Sequence, residues 1–240
     1  MKRAFTIILA VAALASVATL SSCRFNCKRG SGNQVTENRS LAGFSEIEIS
    51  GDYQVNIKQD SNYAVNITAD DNLMQYVKTE VNGDRLKIHT SRNICNAGPF
   101  IVNISLRELN FLRGSGAIKI TSVGKITTKD LQLKLSGATK VNLDLNADNV
   151  RTTGSGLTEI NLRGQASSHV VEMSGSGTLN ALGFVVAKYS IESSGISHCK
   201  INVLNELNIN SSGASDVQYK GNPSTVNNNK AGASTLQKID

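Results

Sequence analysis

A small residue followed by glycine returns seven times between residue 115 and the C-terminus, and this phrase limits what the 240-residue chain can fold into more than any other feature. The copies are Ser115-Gly116, Ser136-Gly137, Ser155-Gly156, Ser176-Gly177, Ser194-Gly195, Ser212-Gly213 and Ala231-Gly232. Successive glycines stand 21, 19, 21, 18, 18 and 19 residues apart. A near-fixed period of this length is the mark of stacked structural repeats.

Aligned on glycine, the copies form columns. Four residues on stand Ile120, Val141, Ile160, Ala181, Cys199, Val217 and Leu236, all apolar. Three residues on stand Lys119, Lys140, Glu159, Asn180, His198, Asp216 and Thr235, all polar. Neighbouring columns therefore point to opposite faces, which is the period of a strand. Upstream, the columns six and four residues before glycine are mostly apolar, led by Leu131, Val150, Val171 and Leu207 in one and Leu133, Met173, Ile191 and Ile209 in the other. They predict a second strand per repeat.

One repeat of about 20 residues cannot bury its apolar face or pair its strand edges alone, so repeats must stack. Like strands then pair in parallel about 4.8 Å apart. The preference for right-handed crossovers predicts a right-handed parallel β-helix, an all-β solenoid, over residues 114–240. Glycine is expected at the corner, where a positive φ costs it little. The polar decline of the last copy, with Asn228 and Lys238 at positions that are apolar elsewhere, predicts a C-terminal cap.

Residues 1–22 read as an address: Lys2 and Arg3, an apolar run from Ala4 to Leu20, then Leu20-Ser21-Ser22-Cys23. That tetrad resembles the lipobox of bacterial lipoproteins. The resemblance implies a lipid on Cys23, a membrane as partner through that lipid, and a cell-envelope location, the outer membrane by analogy. The stretch after Cys23 is basic (Arg24, Lys28, Arg29), where surface-exported lipoproteins of the Bacteroidetes type are acidic, so either face of that membrane is open. Residues 23–40 hold little to bury and read as a flexible tether.

Residues 41–113 alternate differently. Ile47, Ile49, Tyr53, Val55 and Ile57 alternate with polar residues, as do Leu86 with Ile88 and the run from Ile101 to Leu106. Asn82-Gly83-Asp84 predicts a hairpin turn, and Asp70-Asp71-Asn72 predicts the start of a short helix. The segment reads either as irregular first coils with insertions or as a small antiparallel sheet capping the solenoid. In both cases it covers an open edge.

Phe44-Ser45-Glu46-Ile47-Glu48-Ile49-Ser50-Gly51, Val55-Asn56-Ile57, the recurring Ser-Gly-Ala phrases and Ser212-Gly213-Ala214-Ser215-Asp216-Val217 resemble the putative auto-transporter adhesin, head GIN domain family. The resemblance implies a β-helical, secreted or lipidated bacterial protein and defines no site.

Catalytic chemistry finds little support. Glycosidic cleavage by a lyase or glycosidase, the alternative for a β-helix, wants two carboxylates roughly 5 to 9.5 Å apart on one face. The outward column pairs Lys140 with Glu159 and His198 with Asp216, never two acids. The repeat puts Cys199 inside and His198 outside, so they do not form half a metal site, and no metal or other cofactor is expected. With 25 basic and 19 acidic residues interspersed, the formal charge of +6 predicts no nucleic-acid footprint. Cys27 and Cys95 remain as a possible disulfide in an oxidising envelope. The sequence thus predicts a non-enzymatic envelope protein, an adhesin or scaffold, with a polar ladder of Lys119, Lys140, Glu159, Asn180, His198 and Asp216 that meets a glycan or an envelope protein.

Overall fold

The computed structural model describes residues 27–240, so the predicted signal segment and Cys23 lie outside the described residues. The chain is all-β. Among the described residues there are thirteen extended segments, β1 (Lys28–Arg29), β2 (Gln34–Arg39), β3 (Glu46–Gln59), β4 (Ala64–Asp70), β5 (Val77–Asn82), β6 (Arg85–Thr90), β7 (Ile94–Cys95), β8 (Ile101–Leu106), β9 (Phe111–Ser193), β10 (Ile196–Ser211), β11 (Ala214–Lys220), β12 (Thr225–Lys230) and β13 (Thr235–Lys238), and one short helix, α1 (Asp71–Met74). Most of them belong to one large mixed sheet, ordered β13-β11-β10-β9-β3-β8-β4-β2.

Segment β9 is extended over 83 residues, which would span about 270 Å if straight. It folds back on itself instead. Gln132 donates from its backbone N–H to the Asn110 carbonyl at 2.9 Å, and Asn161 and Asn180 each donate to an asparagine 19 residues earlier. The glycines make this return possible. At Gly156, φ is +86° and an added Cβ would lie 2.8 Å from the Gly137 carbonyl oxygen, so only glycine allows the two corners to meet.

The same parallel pairing continues to the C-terminus. Cys199 pairs with Val217, Leu207 with Val226, and Val217 with Leu236. Segments β12 and β13 thus cover the ends of β10 and β11 with a layer whose side chains are mostly exposed.

The alternation read from the sequence sets the core. Ile120, Val141, Ile160, Cys199 and Val217 are all buried, as are Leu133, Thr152, Met173, Ile191 and Ile209 of the upstream strand. Each large aliphatic group stabilises by about 1.5–3 kcal/mol when fully removed from water. One apolar cluster runs from Phe44 to Val217.

One copy of the repeat sits in a different frame from the one its sequence suggests. Gly195 stacks on Gly175, not on Gly177, and Cys199 pairs with Leu179 rather than with Ala181. The run Ser174-Gly175-Ser176-Gly177 offers the phrase twice, and a slip of two residues preserves the inside-outside alternation, so the columns alone do not expose it. The interval from Gly156 to Gly175 is then 19 and from Gly175 to Gly195 is 20.

Both readings of residues 41–113 contain part of the answer. Segment β3 pairs in parallel with β9, Gly51 opposite Gly116, so Ser50-Gly51 opens a true copy of the repeat. On its other side β3 pairs in parallel with β6 and β8. Antiparallel strands then close the end: β5 on β6, β4 on β8, and β2 on β4. The Asn82-to-Arg85 turn carries Gly83 at φ +60°. Residues 34–39 correct the tether expectation. Their side chains are largely exposed, which is why hydropathy missed them, yet their backbone pairs with β4 and removes its open edge.

Candidate functional site

The outward side of the repeat strands presents three columns, one, three and five residues after the stacking glycine. Lys119, Lys140 and His198 are exposed and Glu159 and Asp216 half-buried, each flanked in sequence by buried residues. Asn180 departs from the ladder named for it. Thr178 pairs with His198 in that position, while Asn180 pairs with Lys200 one column further along the strand.

That further column holds a ladder the sequence reading missed. Asn180 Nδ2 donates to Asn161 Oδ1 at 2.9 Å, and Asn161 Nδ2 donates to Asn142 Oδ1 at 2.9 Å. Asn142 and Asn161 occupy the same place in their copies, so carrying the columns one outward step further would have found them. The amides bond to one another and hold their neighbours too, since Asn161 Nδ2 also reaches Glu159 Oε1 at 3.1 Å.

Lys140 Nζ lies 2.8 Å from Glu159 Oε1. Hydrogen bonds from Lys140 first and Asn161 second hold the Glu159 carboxyl below its ordinary range. A general acid for glycosidic cleavage needs the opposite shift. Asp216 is engaged by Thr235 and by Gln218, whose Nε2 is 3.3 Å away. Beside the ladder runs a groove of about 600 Å³ lined by Ser122, Asn142, Asp144, Asn161, Arg163 and Lys200, among others, and Asp144 is the one carboxylate among its lining residues. A wider cleft of about 960 Å³ lies at the other end against Asp52, Gln54, Arg92 and Phe100, beside the joined Cys27 and Cys95, whose Cα atoms are 5.7 Å apart.

Cys199 and His169 are both sealed from solvent. Burial pushes the Cys199 thiol up to about 12, with the Asp216 charge adding to it, so the thiolate needed for attack does not form near neutrality. His169 is fully buried with Nε2 2.9 Å from Thr152 Oγ1, between Phe184 and Tyr189. No cluster of three or more metal-ligating side chains occurs among the described residues. Nor is any helix there long and apolar enough to cross a membrane.

Residues 43–223 match the family described as putative auto-transporter adhesin, head GIN domain. The chain belongs to this family. Among solved structures, this head GIN domain protein is similar to a putative adhesin from Bacteroides fragilis NCTC 9343 at 19% identity, TM-score 0.83, covering 88% of this chain and 100% of that one. It is also similar to a putative adhesin from Parabacteroides merdae ATCC 43184 at 21% identity and TM-score 0.70, covering 89% and 99%. A third, a putative lipid binding protein from Parabacteroides distasonis ATCC 8503, stands at 17% identity and TM-score 0.70, covering 90% and 100%. At these identities the likeness shows a shared fold. No curated protein matches the chain.

Proposed function

We propose that this head GIN domain protein is a non-enzymatic binding module of the cell envelope, held to the outer membrane by a lipid on Cys23. In this reading the successive parallel pairings wind as a right-handed β-helix that presents its outward polar columns as a rigid face. The observation that carries the reading is the ladder itself: repeated lysine, glutamate, threonine, histidine and aspartate positions at one register. Such a face suits many weak contacts to an extended glycan or an envelope protein, because contacts fixed on one scaffold add by effective concentration. Against a lyase or glycosidase stand the lowered Glu159 and the lone Asp144 in the groove.

Two measurements test it. Residues 27–240 contain every described strand and the whole core cluster, so they form a soluble probe for glycan and envelope-protein arrays. Lys140→Glu should lower array binding while a charge change at an exposed lysine off the face, Lys78→Glu, should not; equal effects would count against the ladder. Cys23→Ala in the full chain should release the protein from the membrane fraction after a carbonate wash, since acyl chains would be its anchor. Retention would overturn the lipid assignment.

A further inference from the structure

From Ala117 to Ala233 the column directly after the glycine corner is made of small residues except at two places. Leu157 is 66% exposed and Ile196 is 55% exposed, and they stand one repeat on either side of Ser176. Two residues further along the same strands, Lys119, Lys140 and Glu159 precede Thr178 in the stack and His198, Asp216 and Thr235 follow it, with Lys140 and Glu159 2.8 Å apart. Leu157 and Ile196 are thus matched about Ser176, and Lys140 and Asp216 about Thr178, so the face is complementary to itself under a two-fold at that strand.

We infer that the partner of this outward face is a second copy of the same chain, packed face to face about a two-fold axis lying along the strand of Ser176. This deepens the reading of the face as a binding surface and rests on it. Such an axis keeps each residue's position along its strand and reverses the order of the repeats. Leu157 then faces Ile196 of the second copy, and Thr178 faces its own equivalent. Lys140 faces Asp216, Glu159 faces His198, and Asp144 faces Lys220, each pair occurring twice, as an isologous contact requires. No two like charges stand opposite. A two-fold along the stacking direction does worse, since it sets Leu157 against Arg163 and His198 against Lys200.

The size fits. Seven repeats about 4.8 Å apart and seven residues about 3.3 Å apart make a face of roughly 34 by 23 Å, near 800 Å². That is about what each partner gives to a standard stable interface. Every residue invoked is on the outer side of the sheet, so the contact asks no change of the core.

The test is sedimentation equilibrium of residues 27–240 at about 100 μM, where an interface of this size is occupied. The wild type should be a dimer. Leu157→Lys alone and Ile196→Glu alone should each give monomers, and should melt with the wild type once dilution has made all of them monomeric, because both side chains are exposed on the single chain. The double variant should regain the dimer, since the new charges face each other across the axis. A monomeric wild type overturns the inference, as does a dimer indifferent to both single changes, or singles that dissociate without rescue in the double. A monomeric wild type whose glycan or envelope-protein array binding still falls on Lys140→Glu would remove the second copy as partner and leave the binding face standing. Loss of both would remove the face as well.

Discussion

Acid should unfold this protein through a residue that touches nothing charged. His169 is completely buried, its ring 5.8 Å from that of Phe184 and 5.1 Å from that of Tyr189, with Thr152 its one hydrogen-bonding neighbour. Burial pushes its value down to about 3, against an ordinary 6.5. The unfolded chain therefore takes up a proton first as pH falls. The neutral imidazole's contribution is complete above about pH 6.5 and is lost progressively down to about pH 3. Each unit of that window is worth about 1.4 kcal/mol, so going from about pH 6.5 to about pH 5 should remove roughly 2 kcal/mol. The upper part of the window is the cleaner one, because the carboxyls of Asp60, Asp71 and Glu159 are all held below their ordinary range and titrate later.

The assay is urea unfolding of residues 27–240 followed by circular dichroism between about pH 7.5 and 5, comparing wild type with His169→Gln. Glutamine can still meet Thr152 but cannot take up a proton here. The variant should be less stable at neutral pH by about 1 to 3 kcal/mol, for lost ring packing. Its stability should fall more gently with acid, so that the two curves converge. Parallel curves would refute the reasoning, since they would show that His169 is not held neutral by burial.

Ile160→Asp should cost several times more than Glu159→Ala in thermal melting. The first puts an unpaired charge at a site with 0% exposure, whereas the second alters a half-exposed side chain, where changes usually stay within about 0.5 kcal/mol. Gly156→Ala and Gly124→Ala share a positive φ, but the first brings a Cβ 2.8 Å from the Gly137 carbonyl oxygen while the second meets nothing within 4 Å. Gly124→Ala should therefore cost about 1 to 2 kcal/mol and Gly156→Ala distinctly more by urea unfolding. Replacing Cys95 by Ser opens the link to Cys27 across a separation of 68 residues. The chain-entropy estimate is about 4 kcal/mol, and a loss below 1 in urea unfolding would mean that β1 and β2 hold the N-terminal segment unaided.

The repeats were legible because burial in this protein follows a period of two along the chain and a near-constant interval between corners. Ile120, Val141 and Ile160 announce both at once. What escaped was what that periodicity cannot see. A frame slip of two residues at Ser174-Gly175-Ser176-Gly177 keeps every inside residue inside, so Asn180 was assigned to the column of Lys140 and Glu159 when it belongs with Asn142 and Asn161. Segment β2 escaped for a different reason. It is held by main-chain hydrogen bonds to β4, and Asp70 draws it in with a buried carboxylate that accepts from Gln34 Nε2 and from the Gly98 backbone N–H. Neither leaves a hydropathy signal.

Folding leaves the outward face of the repeats free to vary. Stability resides in the inward columns and in the glycine corners, where a Cβ would strike the preceding repeat's backbone. The outward columns contribute little beyond pairs such as Lys140 with Glu159, a partly exposed contact of the kind worth at most about 1 kcal/mol. Outward residues can therefore change at small cost to folding, and their pattern is free to answer to a partner. Leu157 and Ile196, large, apolar and exposed at equal distances from Ser176, lower solubility and add nothing to the core. Under the proposed two-fold each would cover the other across the contact, removing that apolar area from water.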